Sequence, residues 1–91
     1  MKLDTPLPRV TRCITMGTLV EPPNRTGDEA RALITLDDGD RSLSIAVRAR
    51  GQNAVRLASG TVGRSLLVRG TIVDREEGAD YTIEASELRW V

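Results

Sequence analysis

The chain has 91 residues, 40% apolar and 29% charged, with thirteen basic and thirteen acidic side chains and no histidine. That supports one soluble domain with a single core and no need of metal or disulfide staples. No apolar run approaches the roughly 18 residues of a membrane span, and MKLDTPLPRV lacks a signal-peptide core, so a cytoplasmic protein with no membrane partner is expected. Cys13 is alone, which rules out an internal disulfide, and without histidine a zinc site is not expected either. No cofactor is implied. The only aromatics are Tyr81 and Trp90.

The neutral total hides a sorted charge. Arg41 to Val73 carries six arginines (Arg41, Arg48, Arg50, Arg56, Arg64 and Arg69) and no acid, while residues 21–40 and 74–91 are each acidic. Folding can gather the six on one face, the footprint of a polyanion site. The alternative is that they pair with acids on neighbouring strands.

In chain order, residues 1–11 with Pro6 and Pro8 read as an extended arm, leaving 12–91 as the domain. Arg12 to Val20 reads as a strand, with Gly17 marking a bulge or bend in its middle. Glu21 to Asp28, with two prolines and a glycine, reads as a loop. Glu29 to Asp37 is the second strand, with Ala30, Ala32, Ile34 and Leu36 on one face and Arg31, Leu33, Thr35 and Asp37 on the other. Asp38-Gly39 signals a hairpin into a third strand. There Leu43, Ile45, Val47 and Ala49 alternate with Ser44, Ala46, Arg48 and Arg50. After Gly51, Gln52 to Ser59 has the length of about two helical turns. Ser65 to Val73 is the fourth strand, Asp74 to Asp80 an acidic turn, and Tyr81 to Val91 the fifth strand, with a bulge expected near Ser86-Glu87. The order β-β-β-α-β-β predicts an all-β fold, the five-stranded Greek-key barrel of an OB-fold with a short helix between strands three and four. An SH3-like barrel is the competitor, but it does not usually place a helix there.

Four segments carry a family resemblance: Ile14-Thr-Met-Gly-Thr-Leu-Val-Glu-Pro-Pro23, Ile45-Ala-Val-Arg-Ala-Arg-Gly-Gln-Asn-Ala54, Ser65-Leu-Leu-Val-Arg-Gly-Thr-Ile72 and Tyr81-Thr-Ile-Glu-Ala-Ser-Glu-Leu88. In order and spacing they resemble the bacterial single-stranded DNA-binding protein family, over about Arg12 to Val91. Its small members, like primosomal replication protein B, match in length. The resemblance implies an OB-fold that binds single-stranded DNA, with RNA the alternative strand. It also implies assembly into homodimers or tetramers and work beside replication or recombination proteins. In that family bases stack on aromatic side chains. This chain departs from the pattern: Arg50 and Ser44 stand at positions corresponding to aromatics, and the loop from Asp74 to Asp80 has four acids and no aromatic. The acidic tail of larger members has no counterpart before Val91.

The candidate nucleic-acid contacts are therefore arginines. Arg48 and Arg50, beside Ser44 on the outward face of strand three, would line a groove and meet phosphates or stack guanidinium planes on bases. Arg69 on strand four joins them as the main basic face, with Arg12, Arg25 and Arg56 peripheral. Trp90 reads as a core or interface residue, Tyr81 as packing at the barrel mouth, and Cys13 as a small core residue. No serine, cysteine or carboxylate sits in a recognised catalytic setting, so no enzyme is expected. Asp37-Asp38-Gly39-Asp40 lacks the ligand spacing of a calcium loop. Two functions remain open. One is weak single-strand binding through arginine–phosphate contacts, in replication, recombination or plasmid and phage DNA metabolism. The other is a protein-interaction or oligomerisation module on a barrel without stacking aromatics.

Overall fold

The computed structural model describes residues 11–37, 39–73 and 78–91. The expected N-terminal arm, Asp38 of the hairpin and most of the acidic turn lie outside the described residues. Seven elements follow in order: β1 (Thr11–Leu19), β2 (Asn24–Thr26), β3 (Glu29–Asp37), β4 (Ser42–Arg50), α1 (Gln52–Ala58), β5 (Ser65–Ile72) and β6 (Tyr81–Trp90). The period-two alternation of β3 and β4 pairs them over nine residues each, with Ala30, Ile34, Ile45 and Val47 inward. β6 inserts between β4 and β5, parallel to β4 and antiparallel to β5. β1 pairs along β5 and then, at Thr18 and Leu19, with Thr35 and Ile34 of β3. The five long strands thus close on themselves, and closure removes the open edges of the sheet. This is the expected OB-type barrel.

One strand was not expected. Asn24–Thr26, inside the segment read as a loop, pairs with Glu29–Arg31 as a short hairpin on the free stretch of β3 beyond its contact with β1. Three residues with exposed side chains carry no alternation to read, so only the neighbouring strand makes them extended.

The barrel interior is filled by Leu19, Ile34, Val47, Leu66, Val68 and Ile83, all essentially buried. Each such side chain contributes about 1.5–3 kcal/mol relative to exposure. Of the two readings of Gly17, a bulge is absent, because its pairing with Leu66 is in register, whereas a bend fits β1 pairing with β5 and then β3. A Cβ there would lie 2.9 Å from the Thr35 carbonyl oxygen, so the glycine permits β1 to cross onto β3. The bulge expected near Ser86-Glu87 is present: Arg69 faces Glu87 and Gly70 faces Ala85, which leaves Ser86 as the extra residue.

α1 covers one end of the barrel with Ala54 and Leu57, both fully buried. Gly51 makes the turn into it at φ 63°, ψ −133°, and its N–H donates to the Asp28 carbonyl (3.0 Å), tying the helix start to the β2–β3 hairpin. Asn53 donates to the Ser86 carbonyl at 3.1 Å, so the helix also grips the bulge. At the helix end Trp90 Nε1 donates to the Arg56 carbonyl at 2.7 Å, and its ring lies so close to Gly60 that a Cβ there would fall 2.0 Å away. Trp90 is a packing residue.

Candidate nucleic-acid interface

Strand register decides which charged side chains share a wall. On the outer face of β3 and β4, Arg31 stands directly opposite Arg48. Arg48 is in turn level with Glu84 of β6, and Asn24 of β2 with Arg31. Directly opposed residues on one sheet face have Cβ atoms about 4.5–5.5 Å apart, and like charges so placed cost stability. Glu84 offsets that cost, with Oε2 3.3 Å from Arg48 Nη2 in a half-exposed pair. One step along the strands, Arg50 lies opposite Glu29. By register, among the described residues, three guanidinium groups share this wall with the carboxylates of Glu29, Glu84 and, at the far end of β3, Asp37.

A shallow trough crosses the same wall. Leu33, Ala46, Gly78 and Ala79 line it together with Asn24, Arg31 and the acidic Glu21. Ser44 lies farther along β4, half-buried and opposite Thr35. Its backbone is clamped by Asp80: the Ser44 N–H donates to Asp80 Oδ2 at 2.9 Å, and the Asp80 N–H donates to the Ser44 carbonyl at 2.7 Å. That reciprocal pair anchors the end of the β5–β6 connection beside the trough. The wall is therefore framed by the β2 hairpin on one side and residues 78–80 on the other.

The remaining candidates stand elsewhere, which corrects the expectation of a single basic face. Arg69 is on the outer face of β1, β5 and β6, level with Ile14 and Glu87, and its Nη1 lies 3.4 Å from Glu87 Oε1. Arg12, opposite Thr71, is on that second wall too. Three strand spacings separate it from Arg48, about 14 Å along the curve. Arg25 pairs with inward-facing Ala30, so its side chain leaves the hairpin on the side away from Arg31, and its Nε donates to the Gly27 carbonyl at 3.1 Å. Arg56 is exposed on α1 at the barrel end, and Arg64 lies 5.8 Å from the Trp90 ring centroid. The physical reason for the scatter is the Greek-key path: consecutive segments of the acid-free stretch go to a wall, an end cap and the opposite wall.

Arg31 was not among the sequence candidates, although its outward direction was legible. A two-residue turn at Asp38-Gly39 sets it opposite Ala46. The actual pairing of Asp37 with Ser42 leaves four residues in the connection and brings Arg31 opposite Arg48. The signal that could have found it is the outward parity of Arg31 combined with a longer turn.

No protein-family model and no curated protein matches the sequence. Solved structures match its fold. The small single-stranded DNA-binding protein of Streptomyces coelicolor is 16% identical, with a TM-score of 0.71 over 90% of this chain and 93% of that one. The second single-stranded DNA-binding protein of Mycobacterium smegmatis is 23% identical, with a TM-score of 0.67 over 89% and 88%. A mitochondrial single-stranded DNA-binding protein of S. cerevisiae is only 5% identical, yet reaches a TM-score of 0.71 over 90% and 94%. These likenesses establish the path of the backbone, and they fall on the same group of proteins that the residues resemble.

Proposed function

We propose that this chain is a single-stranded DNA-binding protein whose strand lies along the outer wall of β3 and β4. The observation that carries the reading is the opposed pair Arg31 and Arg48, with Arg50 one step away, between the β2 hairpin and residues 78–80. In OB-folds generally the equivalent wall and its two flanking loops hold oligonucleotides. Like-charged side chains kept opposite each other on an exposed sheet lose their mutual penalty when a phosphate lies between them. With Glu29 and Glu84 on the same wall, binding is weak and salt-sensitive. The expected slope of log K against log salt is about −0.7 per phosphate neutralised. The role follows as an accessory in DNA replication, recombination or plasmid and phage DNA metabolism, as a homodimer or tetramer, without enzymatic activity and in the cytoplasm.

Anisotropy of a labelled oligo-dT titrated at low and moderate salt tests this. The expected result is saturable binding at low salt that weakens as salt rises. Arg48→Glu with Arg50→Glu abolishes it while circular dichroism stays native. No binding at low salt and micromolar protein defeats the proposal.

A second reading has its own observation. On the other wall Ile14 and Met16 are 63% and 54% exposed, beside Leu67, which faces Met16. Exposed apolar side chains in a row support a protein-interaction or oligomerisation surface. Sedimentation of the chain alone tests the self-association arm of this reading: a monomer at high concentration removes it.

A further inference from the structure

We infer that the β3–β4 wall recognises the sugar–phosphate backbone of a single strand and has no requirement for bases. The inference rests on the proposed single-strand reading and specifies its ligand. Both aromatics of the chain are accounted for away from the wall. Trp90 is held at the end of α1 by its hydrogen bond to the Arg56 carbonyl, with Gly60 against its ring and the Arg64 guanidinium 5.8 Å from its centroid. The half-buried ring opens onto the cavity beside Arg69 and Glu87 on the second wall, so it offers nothing to a strand lying on β3 and β4. Tyr81 opens β6 level with Ile45, an inward-facing residue, so its 44% exposed side chain stands at the barrel mouth and not in the outer row of Ala46 and Arg48.

What remains on the wall suits a backbone. The apolar part of the trough lining is Pro22, Leu33, Ala46 and Ala79, beside Gly78. It offers aliphatic surface, on which a deoxyribose can lie, and no π-face. Ala46 and Gly78 add little bulk to the trough, so a strand can approach Arg31 in its lining. Arg48 is held by Glu84, 3.3 Å away and level with it on β6. That contact draws the guanidinium along the sheet toward β6 through Nη2, and its five-donor fork suits phosphate oxygens. Each base stacked on an aromatic is worth roughly 5- to 140-fold in affinity. A wall with none of these forgoes that contribution and leaves the phosphates as its main source of affinity.

The test compares three labelled strands of equal length at low salt: oligo-dT, a fully abasic tetrahydrofuran strand, and dT with neutral methylphosphonate linkages. The expected result is an abasic Kd within about threefold of dT, with binding lost on the neutral backbone. Tyr81→Ala is expected to leave dT affinity within about twofold. If dT binds and the abasic strand is about tenfold weaker or worse, or if Tyr81→Ala costs that much, base-free recognition is wrong while single-strand binding stands. Retained binding to the neutral strand also overturns it. If dT itself does not bind, the functional reading falls and this inference with it.

Discussion

Replacing Glu84 by glutamine removes one negative charge from the arginine-bearing wall while keeping the length and planar end of the side chain. Glu84 Oε2 lies 3.3 Å from Arg48 Nη2, and both side chains are a third to a half exposed. An ion pair of that exposure contributes only about 0.2–1 kcal/mol to folding, so the barrel tolerates its loss. A bound strand responds more sharply. A phosphate docked on Arg48 sits about 6 Å from the carboxylate, a repulsion of about 0.7 kcal/mol at the dielectric of water, or about threefold in affinity. The counterion count changes as well. Because Glu84 already neutralises part of the Arg48 charge, Arg48 releases less than a full counterion in the parent, whose slope lies between about −1.4 for two phosphates and about −2.1 for three; in the variant it moves toward about −2.1. Anisotropy titrations of labelled oligo-dT across a salt series read both quantities. The variant is expected to bind about threefold more tightly at low salt and to converge with the parent as salt rises. Equal affinity and equal slope, in a variant with a native circular dichroism spectrum, refute the placement of phosphate at Arg48.

Two further substitutions probe the frame that holds this wall. Trp90→Phe deletes the donor to the Arg56 carbonyl, a loss of about 1 kcal/mol, which in a domain of this size lowers Tm by about 4–8 °C; an unchanged thermal midpoint means the helix end does not depend on that bond. Gly51→Ala forces a side chain into φ 63°, ψ −133°, at a cost of about 1–3 kcal/mol. Denaturant melts should show a lower midpoint with an unaltered m-value, and no shift refutes the left-handed turn into α1.

Much of the architecture was legible because local pattern and tertiary placement agree. β3 and β4 alternate cleanly, with Ile34 and Val47 inward and Arg31 and Arg48 outward. The helix position followed from Gly51 ending the strand pattern and from the length of Gln52 to Ser59; the helix is Gln52–Ala58, with Ala54 and Leu57 buried. Where Ser86 interrupts the alternation of β6, the bulge is found. The candidate site was less legible. Arg48 and Arg50 were found through their parity, but Arg31 depends on the length of a turn. The short β2 depends on a neighbour already being extended. Gly17 shows the same limit: a bulge and a bend leave the same residue in the sequence, and only the pairing of β1 with both β5 and β3 decides between them.

Periodicity along the chain is a local property, and it sufficed to specify strands, helix and an all-β barrel, because each strand must bury one face whatever its partner. The partition of charge is not local. Arg48 and Arg69 lie within one acid-free run, yet the Greek-key crossing sends them to opposite walls, each beside a glutamate from the distant β6. Which guanidinium groups meet, and which are neutralised, is set by pairing between strands far apart in the chain, and no count of charges along the sequence contains that information.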